Sequence, residues 1–368
     1  MRVSPMIRRS AWPLTASTAL WLGACGGGSP QVNILPDGVS EFSRTLYSAT
    51  QPGPGTSAAT QDLLTAGLGK TGLGLAAAPA YADPLKPTAA ELRRNAIHSN
   101  YRGIMDASSG SGYGRFYGPN IDLNGQDTLG EGLVPGVEYL AQLDDGSGRK
   151  RVGLVVQVPR HFDVNRPCIV AGPSSGSRGV YGSIGSAGEW ALKKGCALAL
   201  TDAGKGMGLY DPQDDSVNTL DGTRSTRAAA GTWAHFAAAV SDSARAAFNL
   251  AFPNRLALKH AHSQQNPEKD WGQDTLASIR YALYVLNQEH APLESNGVSR
   301  ARRFTADNTL VLAASVSNGG AAVLRAAEQD REGLIDGVLA AEPSAQPAST
   351  AGYSLMQGDQ PVPRPAAD

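Results

Sequence analysis

The stretch that most restricts what this chain folds into is Leu310-Val-Leu-Ala-Ala-Ser315-Val-Ser317-Asn-Gly319-Gly320-Ala-Ala-Val-Leu. An apolar run suited to a buried strand leads into Ser317. Two glycines follow, and then an alanine-rich segment of helical composition. Strand, tight turn and helix in that order describe a nucleophile elbow, in which a strained turn lifts a serine hydroxyl above the edge of a sheet. The backbones pack closely at such a turn, and Gly319 and Gly320 supply the small neighbours it needs. The usual pattern is G-x-S-x-G, and here Ser315 takes the first position, small but not glycine. A buried strand followed by a glycine turn that merely contains a serine shows the same letters, so the surrounding chain must decide.

The 368 residues carry 32 Lys and Arg against 33 Asp and Glu, a net charge of -1 with no basic stripe, so nucleic acid is not an expected partner. No apolar run reaches the roughly 18 residues of a membrane-spanning helix. The amino terminus reads as an export signal over residues 1–25. Arg2, Arg8 and Arg9 form a positive start, and Ala11 to Leu22 a short apolar segment. It ends in Leu22-Gly23-Ala24-Cys25, small residues before a cysteine, which resembles a bacterial lipoprotein processing site with Cys25 as the lipidated residue. An ordinary cleaved signal near a cysteine is the alternative. Cys168 and Cys196 sit in apolar, strand-like segments and read as buried free thiols rather than a pair.

Residues 26–40 read as a tether and 41–130 as an irregular region with helical pieces at Ala58 to Ala66 and Thr88 to Arg102. In the second piece Thr88 and Glu91 have the spacing of a capping box. Gly110 to Pro119 is a glycine-aromatic loop, read as surface, with the lining of a substrate mouth as the alternative. The pattern then changes. Strands are expected at Val134 to Leu143, Arg151 to Val158, Cys168 to Ala171, Cys196 to Leu200, Leu310 to Ala314 and Leu334 to Ala340. Helices are expected at Ser186 to Lys194, Thr226 to Leu250, Asp274 to Glu289 and Gly320 to Gln329. This alternation over 131–345 argues for an α/β fold with a largely parallel sheet, α/β-hydrolase-like, followed by a Pro/Ala/Gly-rich tail at 346–368.

Three further constellations bear on chemistry. Ala171-Gly-Pro-Ser174-Ser175-Gly176-Ser-Arg178-Gly-Val-Tyr-Gly182 follows a buried strand directly. At that place a small-residue loop donates a backbone N–H to a developing oxyanion, with the N–H of Asn318 as second donor. A plain glycine-serine turn and a phosphate loop are the alternatives, the latter lacking a G-K-[ST] ending. Asp202 to Gly208 is a polar glycine loop expected to edge a pocket. His260-Ala-His262 has the spacing of two metal ligands on a strand, but no third ligand stands nearby, and loop histidines are the simpler account. His235, between Trp233 and Phe236, reads as packing on a helix. Asp214-Asp215 reads as solvent-facing. Neither a metal nor an organic cofactor is expected.

Every histidine precedes Ser317, whereas the triad order on this fold is Ser, acid, His. The expectation is therefore an incomplete catalytic unit, truncated at its carboxyl end and weakly active or inactive by itself, because a serine without a positioned base is a poor nucleophile; a fold that departs from the usual order is the alternative.

Taken together, the tether, Asp62-Leu-Leu-Thr-Ala-Gly67-Leu-Gly, the Cys168 to Gly182 block and Ala314-Ser-Val-Ser-Asn-Gly-Gly resemble the D-(-)-3-hydroxybutyrate oligomer hydrolases. The resemblance covers nearly all of the chain after the signal and implies an exported carboxylesterase that cleaves 3-hydroxybutyrate dimers and short oligomers. It places the charge-relay serine at Ser317 and implies no acid or histidine here, members being about twice as long. A small ester is the implied substrate, and oligomeric state is left open. A tannase-like or feruloyl-type esterase is the rival among enzymes, and a non-catalytic truncated lipoprotein the rival outside them.

Overall fold

The computed structural model describes residues 32–49, 61–176, 178–202, 204, 208–259, 266–345, 352 and 354–362. The proposed signal, Cys25, Ser177, His260 and His262 lie outside them. The described elements run β1 (Val39–Tyr47), α1 (Gly69–Gly74), α2 (Ala89–Arg102), β2 (Gly136–Leu143), β3 (Val152–Pro159), β4 (Cys168–Pro173), α3 (Glu189–Lys194) and β5 (Ala197–Thr201). The chain continues through β6 (Leu209–Asp211), β7 (Ser216–Asn218), β8 (Arg224–Thr226), α4 (Arg227–Ala230), α5 (Asp242–Ala251) and β9 (Ala257–Leu258). It closes with α6 (Trp271–His290), β10 (Leu310–Val316), α7 (Asn318–Gln329), β11 (Gly337–Ala341), β12 (Leu355–Gln357) and β13 (Gln360–Val362).

Seven strands form one sheet in the order β1-β2-β3-β5-β4-β10-β11. The expected parallel character holds for β5, β4, β10 and β11 only. β1, β2 and β3 join antiparallel, as does β3 to β5. The Asp144 to Gly148 turn explains the first departure, since so short a link can only reverse the chain.

Side-chain alternation builds two cores. Val156, Ile169, Ala171, Ala199, Val311 and Ala313 point to the face covered by α6 and α7. Val155, Val170, Leu198, Leu200 and Ala314 point to the other, covered by α2, α3 and the π turn Ile184–Gly188 before α3. All eight residues of β3 are buried, as a strand covered on both faces requires. Leu276, Ile279, Leu283 and Leu286 form the buried stripe of α6 as their spacing predicts. The Thr88 capping box is present, with Glu91 N–H on Thr88 Oγ1 at 3.3 Å and Thr88 N–H on Glu91 Oε2 at 2.8 Å.

Several local expectations are corrected. The helix over Thr226 to Leu250 is two short helices and a loop. Gly231 turns to a φ of 53°, and Ser241 starts α5 afresh by accepting the Ala244 N–H at 3.2 Å. The described part of Ala58 to Ala66 is a turn wound around the Asp62 carboxylate. That side chain is buried and accepts N–H groups from Leu64, Thr65, Gly67 and Val134. Cys168 and Cys196 are bonded to each other, with Cα atoms 4.7 Å apart. Register explains it: Ile169 stands opposite Ala197 in the parallel ladder, so the residue before each faces its counterpart.

Candidate active site

The parallel part of the sheet begins with β4, moves one way to β5, and returns on the opposite side of β4 as β10. The gap beyond the carboxyl ends of β4 and β10 is therefore a topological switch point. Their following segments leave toward opposite faces there and open a crevice, the usual ligand position in such sheets. Ser317 follows β10, and the Ser174 to Gly176 loop follows β4. The two loops expected to cooperate thus lie side by side.

Ser317 has φ 60° and ψ -125°, a region costly for any residue with a side chain, by about 1–3 kcal/mol. It is held there from both sides. Its N–H donates to Ala341 O at 3.0 Å, and its carbonyl accepts from Ala321 at 3.1 Å and Ser344 at 3.1 Å. The half-buried serine stands immediately before α7, whose first N–H groups have no acceptor within the helix; Asn318 carries the first of them. Gly319 shows why the turn needs glycine: a Cβ there would lie 2.1 Å from Ser315 Oγ and 2.7 Å from Pro173 O.

Ser315 turns out to have a task that a glycine cannot perform. Buried, it donates from Oγ to Pro173 O at 2.7 Å, tying the elbow strand to the end of β4. Ser183 Oγ donates to the same carbonyl. Past Pro173, Ser174 still donates its N–H to Thr201 O at 2.8 Å, and its Oγ turns inward to Gly176 O at 3.3 Å. Ser174 and Ser175 are buried and hold the loop. Gly176 alone of the three is partly open, with φ 64°, and a Cβ on it would sit 4.0 Å from Asn318 Oδ1. The structure therefore brings together Ser317, Asn318 and Gly176, with Ser174 and Ser175 as their support.

A second polar cluster lies at the carboxyl end of β5. Asp202, fully buried, accepts the Gly153 N–H at 2.9 Å and the Gly204 N–H at 2.5 Å, and its Oδ2 lies 3.1 Å from His235 Nε2. His235 is in a loop, not on a helix, and is paired rather than merely packed, which corrects the sequence reading. Lys259 is buried and donates to Lys150 O, Arg151 O and Gly204 O; burial pulls its ammonium down to about 8. Asp274 is fully buried 2.7 Å from Lys150 Nζ, and burial lifts its carboxyl to about 6. Of the other described histidines, His98 Nε2 is held at Leu75 O, 2.9 Å away. His161 lies against Gly195, and His290 stacks on Phe162, both at the amino ends of β4 and β5, the far edge from Ser317. Among the described residues, none of these histidines is hydrogen-bonded to Ser317. No group of three or more His, Cys, Asp or Glu side chains among them is placed to hold a metal ion, and no helix among them is long and apolar enough to cross a membrane.

A strained serine at a switch point, facing a loop of small residues, is an arrangement suited to acyl transfer. The model of the 3HB-oligomer hydrolase family matches residues 21–367, and the chain belongs to that family. It is 53% identical over 343 residues to the D-(-)-3-hydroxybutyrate oligomer hydrolase of Polaromonas naphthalenivorans, covering 93% of this chain and 48% of the relative. The enzymes of that name from Albidiferax ferrireducens and Burkholderia thailandensis are 52% and 51% identical, over 95% and 98% of this chain and 49% and 51% of their own lengths. The chain thus spans about half the length of the curated relatives it matches. No solved structure matches it.

Proposed function

We propose that this chain carries the nucleophile and oxyanion half of an exported serine carboxylesterase that hydrolyses 3-hydroxybutyrate oligomers. The observation that carries the reading is the strained Ser317 beside Gly176 and Asn318, in a chain about half identical to enzymes named for that substrate. Ser317 Oγ attacks the ester carbonyl. The N–H groups of Gly176 and Asn318 take the oxyanion. The alkoxide leaves with a proton, and water then releases the acyl group as a 3-hydroxy acid. The strand order, with β10 beside β4 at the switch point, supports an α/β-hydrolase-like fold. The Cys168–Cys196 bond supports an oxidising compartment and hence export. Lipidation at Cys25 belongs to the same proposal.

The test is dimer hydrolysis by an enzyme of the relatives' length that contains this segment. Ser317→Ala should lower turnover by about 10⁴–10⁶ while leaving the thermal midpoint in place; near-normal turnover would remove Ser317 from the mechanism. The 368-residue chain by itself should react slowly with a fluorophosphonate at Ser317. Rapid stoichiometric labelling would show that it supplies its own base, with His260, His262 or His235 the first to replace.

A further inference from the structure

Ser183 stands fully buried at the head of the π turn Ile184–Gly188, on the returning limb of the loop that carries Ser174 to Gly176. A serine at the head of a helical turn commonly accepts one of the turn's N–H groups on its hydroxyl. This side chain caps nothing. Only the backbone carbonyl of Ser183 serves the turn, accepting from Ala187 at 2.8 Å and Gly188 at 3.1 Å. Its Oγ turns back across ten residues and donates to Pro173 O. The two limbs are shaped for that bond. A Cβ on Gly172 would lie 3.1 Å from Ser183 Cβ, and one on Gly182 would lie 2.2 Å from Ser174 Oγ. Glycine at both places lets the limbs close on each other.

The Pro173 carbonyl thus receives two hydroxyl groups, one from Ser183 and one from Ser315 at 2.7 Å, which fill its two lone pairs. The two hydroxyl oxygens stand 3.3 Å apart. Across the same peptide, the Ser174 N–H is held by Thr201 O at 2.8 Å. The Pro173–Ser174 peptide is therefore gripped at both ends, and a peptide plane turns as one unit. Gly176, whose N–H is assigned to the oxyanion, lies two residues further on. Ser315 lies two residues before Ser317, on β10.

We propose that Ser183 is a positioning residue for the esterase reaction: through the Pro173 carbonyl it fixes the oxyanion loop at the distance from Ser317 that the transition state requires. The proposal rests on the esterase reading above. Ser183 touches no reacting atom. Ser315 holds the same carbonyl from the nucleophile's own strand, so the two hydroxyls together couple the donor loop to the nucleophile. With one removed, the other holds the plane more loosely. With both removed, a buried carbonyl has no donor, and the plane rotates toward a new one. The loss falls on the transition state rather than on substrate binding, because the displaced N–H serves charge that exists only there.

The experiment uses an enzyme of the relatives' length that contains this segment, with the 3-hydroxybutyrate dimer as substrate. Propylboronic acid mimics the tetrahedral intermediate: it adds to the serine oxygen and places a charged oxygen at the oxyanion position. Ser183→Ala should lower kcat by about fivefold or more, leave KM within about twofold, and weaken boronate inhibition by the same factor as kcat. Ser315→Ala should do likewise. The double variant should lose more than the product of the two single losses, up to about 10³, the loss on removing an oxyanion donor outright. A fall in kcat smaller than about fivefold in Ser183→Ala overturns the proposal. So does a loss carried by KM, or one that leaves boronate inhibition unchanged. Losses that merely multiply in the double variant overturn the coupling, and if that variant does not fold the single ones decide. Ser317→Ala is run alongside. Normal turnover there removes the esterase reading and the clamp with it, whereas an inactive Ser317→Ala beside an unaffected Ser183→Ala removes the clamp alone.

Discussion

The ends of β10 and β5 lie two strands apart on one sheet edge and are built by opposite means. The elbow after β10 is made of backbone and small side chains: Ser315, Ser317, Gly319 and Gly320, with Pro173 and Ser183 as neighbours. It holds a strained conformation and leaves a hydroxyl half open. The cluster after β5 is made of ionisable groups drawn from positions 150 to 274: Asp202, His235, Lys259 and Asp274, which are buried, and the half-buried Lys150. It holds loops together and leaves almost nothing open. The elbow keeps its stored strain where a substrate can meet it, while the cluster spends its charges on the protein's own backbone groups and on one another.

That division can be broken by substitution. If the cluster is structural, Asp202→Ala should lower stability by about 3 kcal/mol or more, because the N–H groups of Gly153 and Gly204 lose a buried acceptor together with His235. Urea unfolding measures this. A loss below about 1 kcal/mol would mean that solvent reaches the site and that the cluster does not hold these loops together.

Asp274 sharpens the contrast through pH. Its carboxyl is raised by burial from 3.8 to about 6, so the native state holds a proton that the unfolded state has released. The stabilising contribution is complete below about pH 4 and is lost as pH rises through about 6. Relative to Asp274→Asn, the natural protein should therefore lose about 2–3 kcal/mol between pH 4 and pH 7. Parallel stability curves for the two proteins would show that Asp274 is charged throughout.

The smallest expected effect lies on the elbow. Ser315→Gly restores the commoner motif yet deletes the bond to Pro173 O and loosens a buried strand, for a loss of about 1 kcal/mol. A thermal midpoint at or above that of the natural protein would show that the bond contributes nothing.

The same division governs how much the sequence disclosed. The elbow, the loop after β4 and the α6 stripe are local patterns, legible from neighbours or from helical period. β1 was hidden because it is an edge strand whose residues are mostly polar and exposed, with little alternation to read. Thr226 to Leu250 looked like one helix because alanine dominates its composition, while Gly231 and Ser241, which divide it, act through single positions. The disulfide depends on the register of β4 against β5, and Asp202 with His235 on a fold that closes a separation of 33 residues. No window of sequence contains either.

The bonds from Ser317 to Ala341 and Ser344 have a consequence for motion. β11 is paired only with β10 among the described strands, and Val338 and Leu339 are exposed along it, at 39% and 61%. Edge strands fray first, in openings far less costly than global unfolding. Each opening of β11 releases the N–H and the carbonyl that hold Ser317 at positive φ, and the turn can then relax. Amide exchange at Ser317 should therefore follow exchange along β11 rather than that of β4 or β5. The reactive geometry persists only as long as β11 stays closed against β10.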